Sequence, residues 1–329
     1  MGLQRIASWD VVKCVAIFMV VWGHALNAFD ASHLHCAQLY RFIYSFHMPL
    51  FMMVSGFFSA SSFQLGGRIF LKRKVIQLLL PALSWSLITC AYIAVVNNAN
   101  EYTLFYEFVG NSWFLKTLFA CFVCAFMAKM WLKSDVMAFV LSCCIAFVIP
   151  RGSFLQFNWL LPFFWAGYFF RKYQETIRSH TNIILMAALS AILTLLYLKN
   201  TFNISHTIHI DINALVTQPV ALLSSFLWAI AVSLMVILLV HQFCKSENTF
   251  VKTMAFVGRY TLAIYVIQTI FLEKFLRKFS LVQTNDQILY NYVYTPIISW
   301  LVIVVCVSIA RIIERNRYAA MVLLGRNQK

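Results

Sequence analysis

Residues 11–29 read VVKCVAIFMVVWGHALNAF, nineteen positions of which only Lys13 carries a fixed charge. As a helix this stretch is about 28 Å long, enough to cross the hydrocarbon core of a bilayer. Nine further apolar runs follow, near 39–60, 75–97, 113–131, 135–149, 156–170, 182–198, 219–242, 254–273 and 290–312. In lipid every backbone N–H and C=O must be satisfied within the spanning structure, so runs of this length read as helices. The fold class is therefore predicted to be all-α: a polytopic membrane protein of ten transmembrane helices in one bundle, a single domain over residues 1–329. The fifth and sixth runs are the shortest, and Pro150-Arg151-Gly152 breaks the chain between them. The longest connections, 97–112 and 199–218, are too short to fold alone. The first run has no small-x-small cleavage site, since Ala25 and Ala28 are wrongly spaced, and it reads as an uncleaved helix.

Composition supports the same class. Hydrophobic residues make up 62% of the 329 residues, charged residues 11%, and the mean hydropathy is +0.78. A soluble domain needs about a quarter of its residues charged, so most of this surface must face lipid. The net charge of +15 raises nucleic acid as a partner. Alternating the spans from a cytoplasmic N-terminus tests that. Nineteen Lys and Arg fall on the inner side, from Arg5 and Lys13 to Arg326 and Lys329, and seven on the outer side. This is the positive-inside bias, which predicts a multi-pass cell-membrane protein with both termini cytoplasmic and excludes nucleic-acid binding. Most of the nine cysteines lie within apolar runs, and Cys121-Phe122-Val123-Cys124 reads as buried small hydrophobes rather than a redox or metal motif.

Ionisable groups inside membrane helices are costly, which makes each one a functional candidate. The first helix carries Asp10, Lys13 and His24. Lys13 and His24 are eleven residues apart, close to three turns, so they share a face about 16 Å apart, and Asp10 falls near the same stripe. Asp10 and Lys13 alternatively form a local ion pair near the inner interface. The second helix carries Tyr40, Arg41, Tyr44 and His47, with Tyr40, Tyr44 and His47 on one face. Pro49 bends that helix just past His47, and Ser55-Gly56 lets another backbone approach. A broken helix with a histidine at the bend fits a polar cavity, and taken alone it serves a proton relay equally well.

The ordered motifs resemble membrane acyltransferase family 3, in its fucose O-acetylase-like branch. Asp10-Val11-Val12-Lys13 and Val20-Val21-Trp22-Gly23-His24 are similar to that family's opening, and Phe46-His47-Met48-Pro49-Leu50-Phe51 through Ser55-Gly56 to its second-helix signature. Further matches are Phe70-Leu71-Lys72-Arg73-Lys74 running to Leu80-Pro81, Trp113-Phe114-Leu115, and Gly258-Arg259-Tyr260-Thr261-Leu262-Ala263-Ile264-Tyr265. The resemblance covers most of the chain. It implies transfer of an acyl group, usually acetyl from acetyl-CoA, onto hydroxyls of cell-surface or lipid-linked glycans, with His24 as the catalytic centre. Three positions depart from the family pattern. Lys13 stands where an arginine is common and loses its bidentate fork, Gln77 replaces a frequent arginine, and Gln268 replaces a ninth-helix histidine.

Acyl transfer to a hydroxyl needs a base to take the proton as the oxygen attacks the thioester, and His24 suits that duty near neutral pH. Lys13, Asp10 and His47 are expected beside it as catalytic partners. Arg68, Lys72, Arg73 and Lys74 are expected to grip the phosphates of acetyl-CoA, although an ordinary positive-inside loop has the same composition. Arg41, Tyr44 and Trp113 are candidates for the acceptor site, and interface anchoring explains the tryptophan equally. No metal is expected. His33 and His35 beside Cys36, and the loose group His206, His209 and Asp211, lack a convincing ligand set. Asn203-Ile204-Ser205 is a glycosylation sequon that matters only in a secretory pathway. The rival class is a secondary transporter that uses intramembrane His and Asp as a proton relay. The absence of a clear internal repeat tells against it.

Overall fold

The computed structural model describes residues 7–29, 37–97, 100–149, 156–198, 216–245, 248–279 and 286–326, and among these every regular element is helical. His33, His35, Cys36, His206, His209, Asp211, the sequon and the Pro150–Gly152 breaker lie outside the described residues. In chain order the helices are α1 (Ala7–Phe29), α2 (Ala37–Ser62), α3 (Gly67–Lys74), α4 (Leu80–Asn97), α5 (Glu101–Gly110), α6 (Trp113–Trp131), α7 (Asp135–Val148) and α8 (Phe157–Lys172). They continue with α9 (Gln174–Ser179), α10 (Thr181–Tyr197), α11 (Pro219–Phe243), α12 (Thr249–Gly258), α13 (Thr261–Gln268), α14 (Thr295–Ile313) and α15 (Arg317–Leu324). Three π-helical stretches, Val75–Leu79, Thr269–Phe275 and Tyr290–Tyr294, interrupt the α geometry.

Each of the ten apolar runs is helical, but not each is long enough to span. Among the described residues, five helical stretches are long and apolar enough to cross a membrane, and a sixth counts if α12 and the stretch Thr261–Phe275 are one broken span. With fourteen residues α7 measures about 21 Å, short of a bilayer core of about 30 Å. The breaks carry local signals. Asn100, Ser134, Asn248 and Asn316 each accept a hydrogen bond from the first turn of the helix that follows, which satisfies donors the helix leaves over.

The helices group into two compact units, each assembled from separate pieces of chain. The first holds Met1–Ala16, Arg41–Gln64 and Cys121–Arg259, and the second holds Ile17–Tyr40, Leu65–Ala120 and Tyr260–Lys329. In the first unit α2 and α8 touch backbone to backbone. A Cβ on Gly56 would lie 1.8 Å from the Phe164 carbonyl oxygen, and one on Gly167 would lie 1.9 Å from that of Met53. Between membrane helices such small residues replace the hydrophobic drive that water would supply. Gly56→Ala and Gly167→Ala are therefore expected to destabilise the protein by about 1–3 kcal/mol or more, because the obstacle is backbone. Gly110→Ala, which faces open space, should have little effect. Thermal unfolding in detergent checks this, and equal effects at all three positions would refute it.

Ring packing shows which helix ends meet in the first unit. Trp9 lies tilted over Phe57 at 3.9 Å between ring centres and meets Phe170 edge-on at 5.8 Å and His241 edge-on at 4.9 Å. These are the start of α1 and the last turns of α2, α8 and α11, ends that strict alternation of spans assigns to one side. Nearby in sequence, Asp135 binds Lys129 at 2.7 Å and Lys172 at 2.6 Å. Deeper in the unit, indole donors are satisfied by hydroxyls. Trp228 donates to Ser45 and Trp165 to Ser142, each at 2.8 Å.

Candidate active site

In the second unit the C-terminal turns of α1 are pinned by polar contacts. The Trp22 indole donates to Thr295 Oγ1 at 3.0 Å, and the Tyr290 hydroxyl donates to the Leu26 carbonyl at 2.9 Å. Between these two anchors lies His24, and its Nδ1 pairs with Glu273 Oε1. The two side chains are 22% and 31% exposed, sheltered yet reachable. Glu273 belongs to the π-helical stretch Thr269–Phe275 that continues α13. A π turn shifts the side chains that follow off the face an unbroken α-helix would give them, and such turns recur at functional sites. Gln268, just before this stretch, is fully buried; its Nε2 donates to Thr269 Oγ1 at 3.2 Å, and its amide oxygen has no partner among the described residues. The next residue after Glu273, Lys274, pairs instead with Glu107 at 2.6 Å.

A carboxylate on Nδ1 fixes the orientation and tautomer of an imidazole and stabilises the imidazolium that forms when Nε2 takes a proton. A base held by a third group is the recurring arrangement of acyl-transfer catalysts. Glu273 was not among the residues that sequence reasoning singled out. The available signal was that it is the sole acidic residue in the run 254–273, at the end of that run.

The other expected site residues divide between the units. The second unit also holds the basic run and Trp113. Arg68, Lys72 and Arg73 are exposed on α3 and Lys74 is buried. Trp113 is half-buried at the start of α6, edge-on to Phe114. The helical stretch Gly67–Val96 runs unbroken from the basic run towards α5, and Lys74 and Val96 are about 33 Å apart along it. At the basic end, a Cβ on Gly325 (φ +63°) would lie 2.6 Å from the Gln77 carbonyl oxygen, so α15 packs tightly at the departure position Gln77.

The first unit holds the remaining candidates. Lys13 Nζ pairs with Asp10 Oδ1 at 3.1 Å and lies 4.6 Å from the centre of the Phe58 ring, so the local ion pair forms. His47 is buried, and its Nδ1 donates to the Ile43 carbonyl at 2.7 Å while Tyr44 meets its ring edge-on at 4.7 Å. That hydrogen bond braces the helix one turn before Pro49. Arg41 is exposed. Gly258, part of the ninth-run motif, also has a packing reason, since a Cβ there would lie 1.8 Å from the Asp10 carbonyl oxygen.

Comparison with known proteins places this arrangement. The model of acyltransferase family 3, described as an acyltransferase domain, matches residues 6–311. Nodulation protein NolL of Mesorhizobium japonicum is 24% identical over 98% of this chain and 91% of its own length. Nodulation protein NolL of Sinorhizobium fredii is 28% identical over 200 residues, 55% of this chain, and the chain spans about half (52%) of that relative's length. No solved structure matches. The match of the family model from residue 6 to residue 311, nearly the whole chain, identifies this protein as a member of acyltransferase family 3.

Proposed function

We propose that this protein moves an acetyl or similar acyl group from a cytoplasmic acyl-CoA to a hydroxyl of a cell-surface or lipid-linked glycan, with its termini in the cytoplasm. The observation that carries the reading is the His24–Glu273 pair. His24 Nε2 takes the proton of the acceptor hydroxyl while that oxygen bonds to the thioester carbonyl carbon. Glu273 holds the imidazolium so formed. As the carbon–sulfur bond breaks, His24 returns the proton to the departing thiolate, which leaves as the free thiol of CoA, and the ester remains on the acceptor. Family membership supports acyl transfer, the basic run on α3 supports a CoA donor, and the glycan acceptor follows from the family resemblance.

Arg68, Lys72 and Arg73 suit the donor's phosphates, since three exposed cations on two helical turns offer several charge-assisted hydrogen bonds. Arg68→Gln/Lys72→Gln/Arg73→Gln is expected to weaken CoA binding at least about tenfold, one tenfold step being about 1.4 kcal/mol. Thermal stabilisation of the purified protein by CoA measures this. Undiminished stabilisation in the triple variant would place the phosphates elsewhere, and no stabilisation of the wild type would remove CoA as the donor.

A further inference from the structure

Glu273 and Lys274 are consecutive, so an ammonium group lies within reach of the carboxylate that His24 needs. Two features set which partner each finds. Glu107 Oε1 takes Lys274 Nζ at 2.6 Å, and both side chains are largely shielded, at 29% and 22% exposure. The other nearby cation, Arg277, is exposed one turn further on.

Glu107 sits on α5, a helix that buries none of its residues. Its Tyr102, Phe105, Tyr106 and Val109 form one exposed stripe at i, i+3, i+4 and i+7. The opposite side of this helix lies against α4, where Cys90 Sγ donates to the Leu104 carbonyl at 3.4 Å, and both of its ends carry polar contacts. Asn100 accepts from the Thr103 N–H at 2.9 Å and from its hydroxyl at 2.7 Å. At the other end Lys116 Nζ donates to the carbonyls of Phe108 at 2.5 Å, Val109 at 3.1 Å and Asn111 at 2.9 Å, and to Ser86 Oγ at 3.1 Å. A cation on the last carbonyls of a helix also favours its dipole. The packing on α4 and the Lys116 contacts give Glu107 its place beside Lys274.

We propose that Glu107 is a positioning residue: it takes up the Lys274 ammonium and so keeps the adjacent Glu273 carboxylate for His24. The proposal rests on the reading of His24 and Glu273 as the base and its orienting group. It predicts an asymmetry that a plain structural tether does not. Removing Glu107 alone sets Lys274 loose to compete for Glu273, whereas removing both leaves nothing to compete.

The test follows transfer of radiolabelled acetyl from acetyl-CoA into saccharide in membranes of the producing cells, with the full chain. Glu107→Gln is expected to lower kcat at least about tenfold with the KM for acetyl-CoA within about twofold, Lys274→Met to stay within about threefold of wild type, and the double variant to recover to that level. Glu107→Gln at wild-type kcat, or a double variant no better than Glu107→Gln, would overturn the proposal. If Glu107→Gln does not fold, as judged by thermal unfolding in detergent, Glu107→Asp, one methylene short of Lys274, is read by the same two criteria. Glu273→Gln separates the two levels of argument. If it retains transfer, the base reading fails; if it is inactive while Glu107→Gln is fully active, only the positioning role fails.

Discussion

His24→Ala should reduce acetyl transfer by about 10²–10⁴, the range a positioned general base contributes. The protein should still fold, and CoA should still stabilise it against heat. Both expectations follow from position. His24 lies in the last turns of α1, where the polar anchors of that helix are Trp22 with Thr295 and Tyr290 with Leu26, none of which involves the imidazole. The basic run lies on α3, at the far end of the stretch Gly67–Val96 from α5, whose Glu107 reaches the residue beside Glu273. The measurements are transfer from radiolabelled acetyl-CoA and a melting curve with and without CoA. A folded His24→Ala protein with near-normal transfer would remove the mechanism, and one that transfers poorly because it no longer melts cooperatively would make His24 structural.

Much of this fold was legible because lipid imposes strict rules on a chain. The ten apolar runs are all helical, and the position of Gly56 marked a close backbone approach before its partner was known. The partner itself, the Phe164 backbone of α8, was not legible, since a glycine in an apolar run shows which backbone gives way and not which one arrives. The span count was less secure. The 3.6-residue period and apolar content establish that 135–149 is a helix, but its described length of fourteen residues depends on where the flanking chain breaks. His24 stood out in the sequence because an ionisable group deep in an apolar run has no cheap structural excuse. Glu273 did not, because a carboxylate at the end of a run reads as an interface residue. It lies in the π-helical stretch Thr269–Phe275, and such turns leave no clear trace in hydrophobic periodicity. Lys13 and Asp10 differ: their spacing of three residues left a local ion pair open as one of two readings, and the pair forms.

Glu273→Gln is expected to be nearly as damaging as His24→Ala, although it removes no bulk. The amide keeps the shape of the carboxylate but loses its charge, and its NH₂ group presents a donor where His24 Nδ1 needs an acceptor. Where the orienting carboxylate of a Ser-His-Asp triad is changed in this way, the loss is about 10⁴ in kcat, chiefly through the wrong tautomer. A loss of about 10²–10⁴ is expected here, with CoA stabilisation unchanged. Glu273→Asp keeps the charge and shortens the reach, so it should retain more transfer than the amide. The decisive comparison is the double variant. If Glu273 acts only through the imidazole, His24→Ala/Glu273→Gln should transfer no more slowly than His24→Ala alone, because groups that act as a unit are strongly non-additive. Losses that multiply in the double variant would mean that Glu273 contacts the acceptor or the donor itself, and the pair would then be two separate catalytic groups.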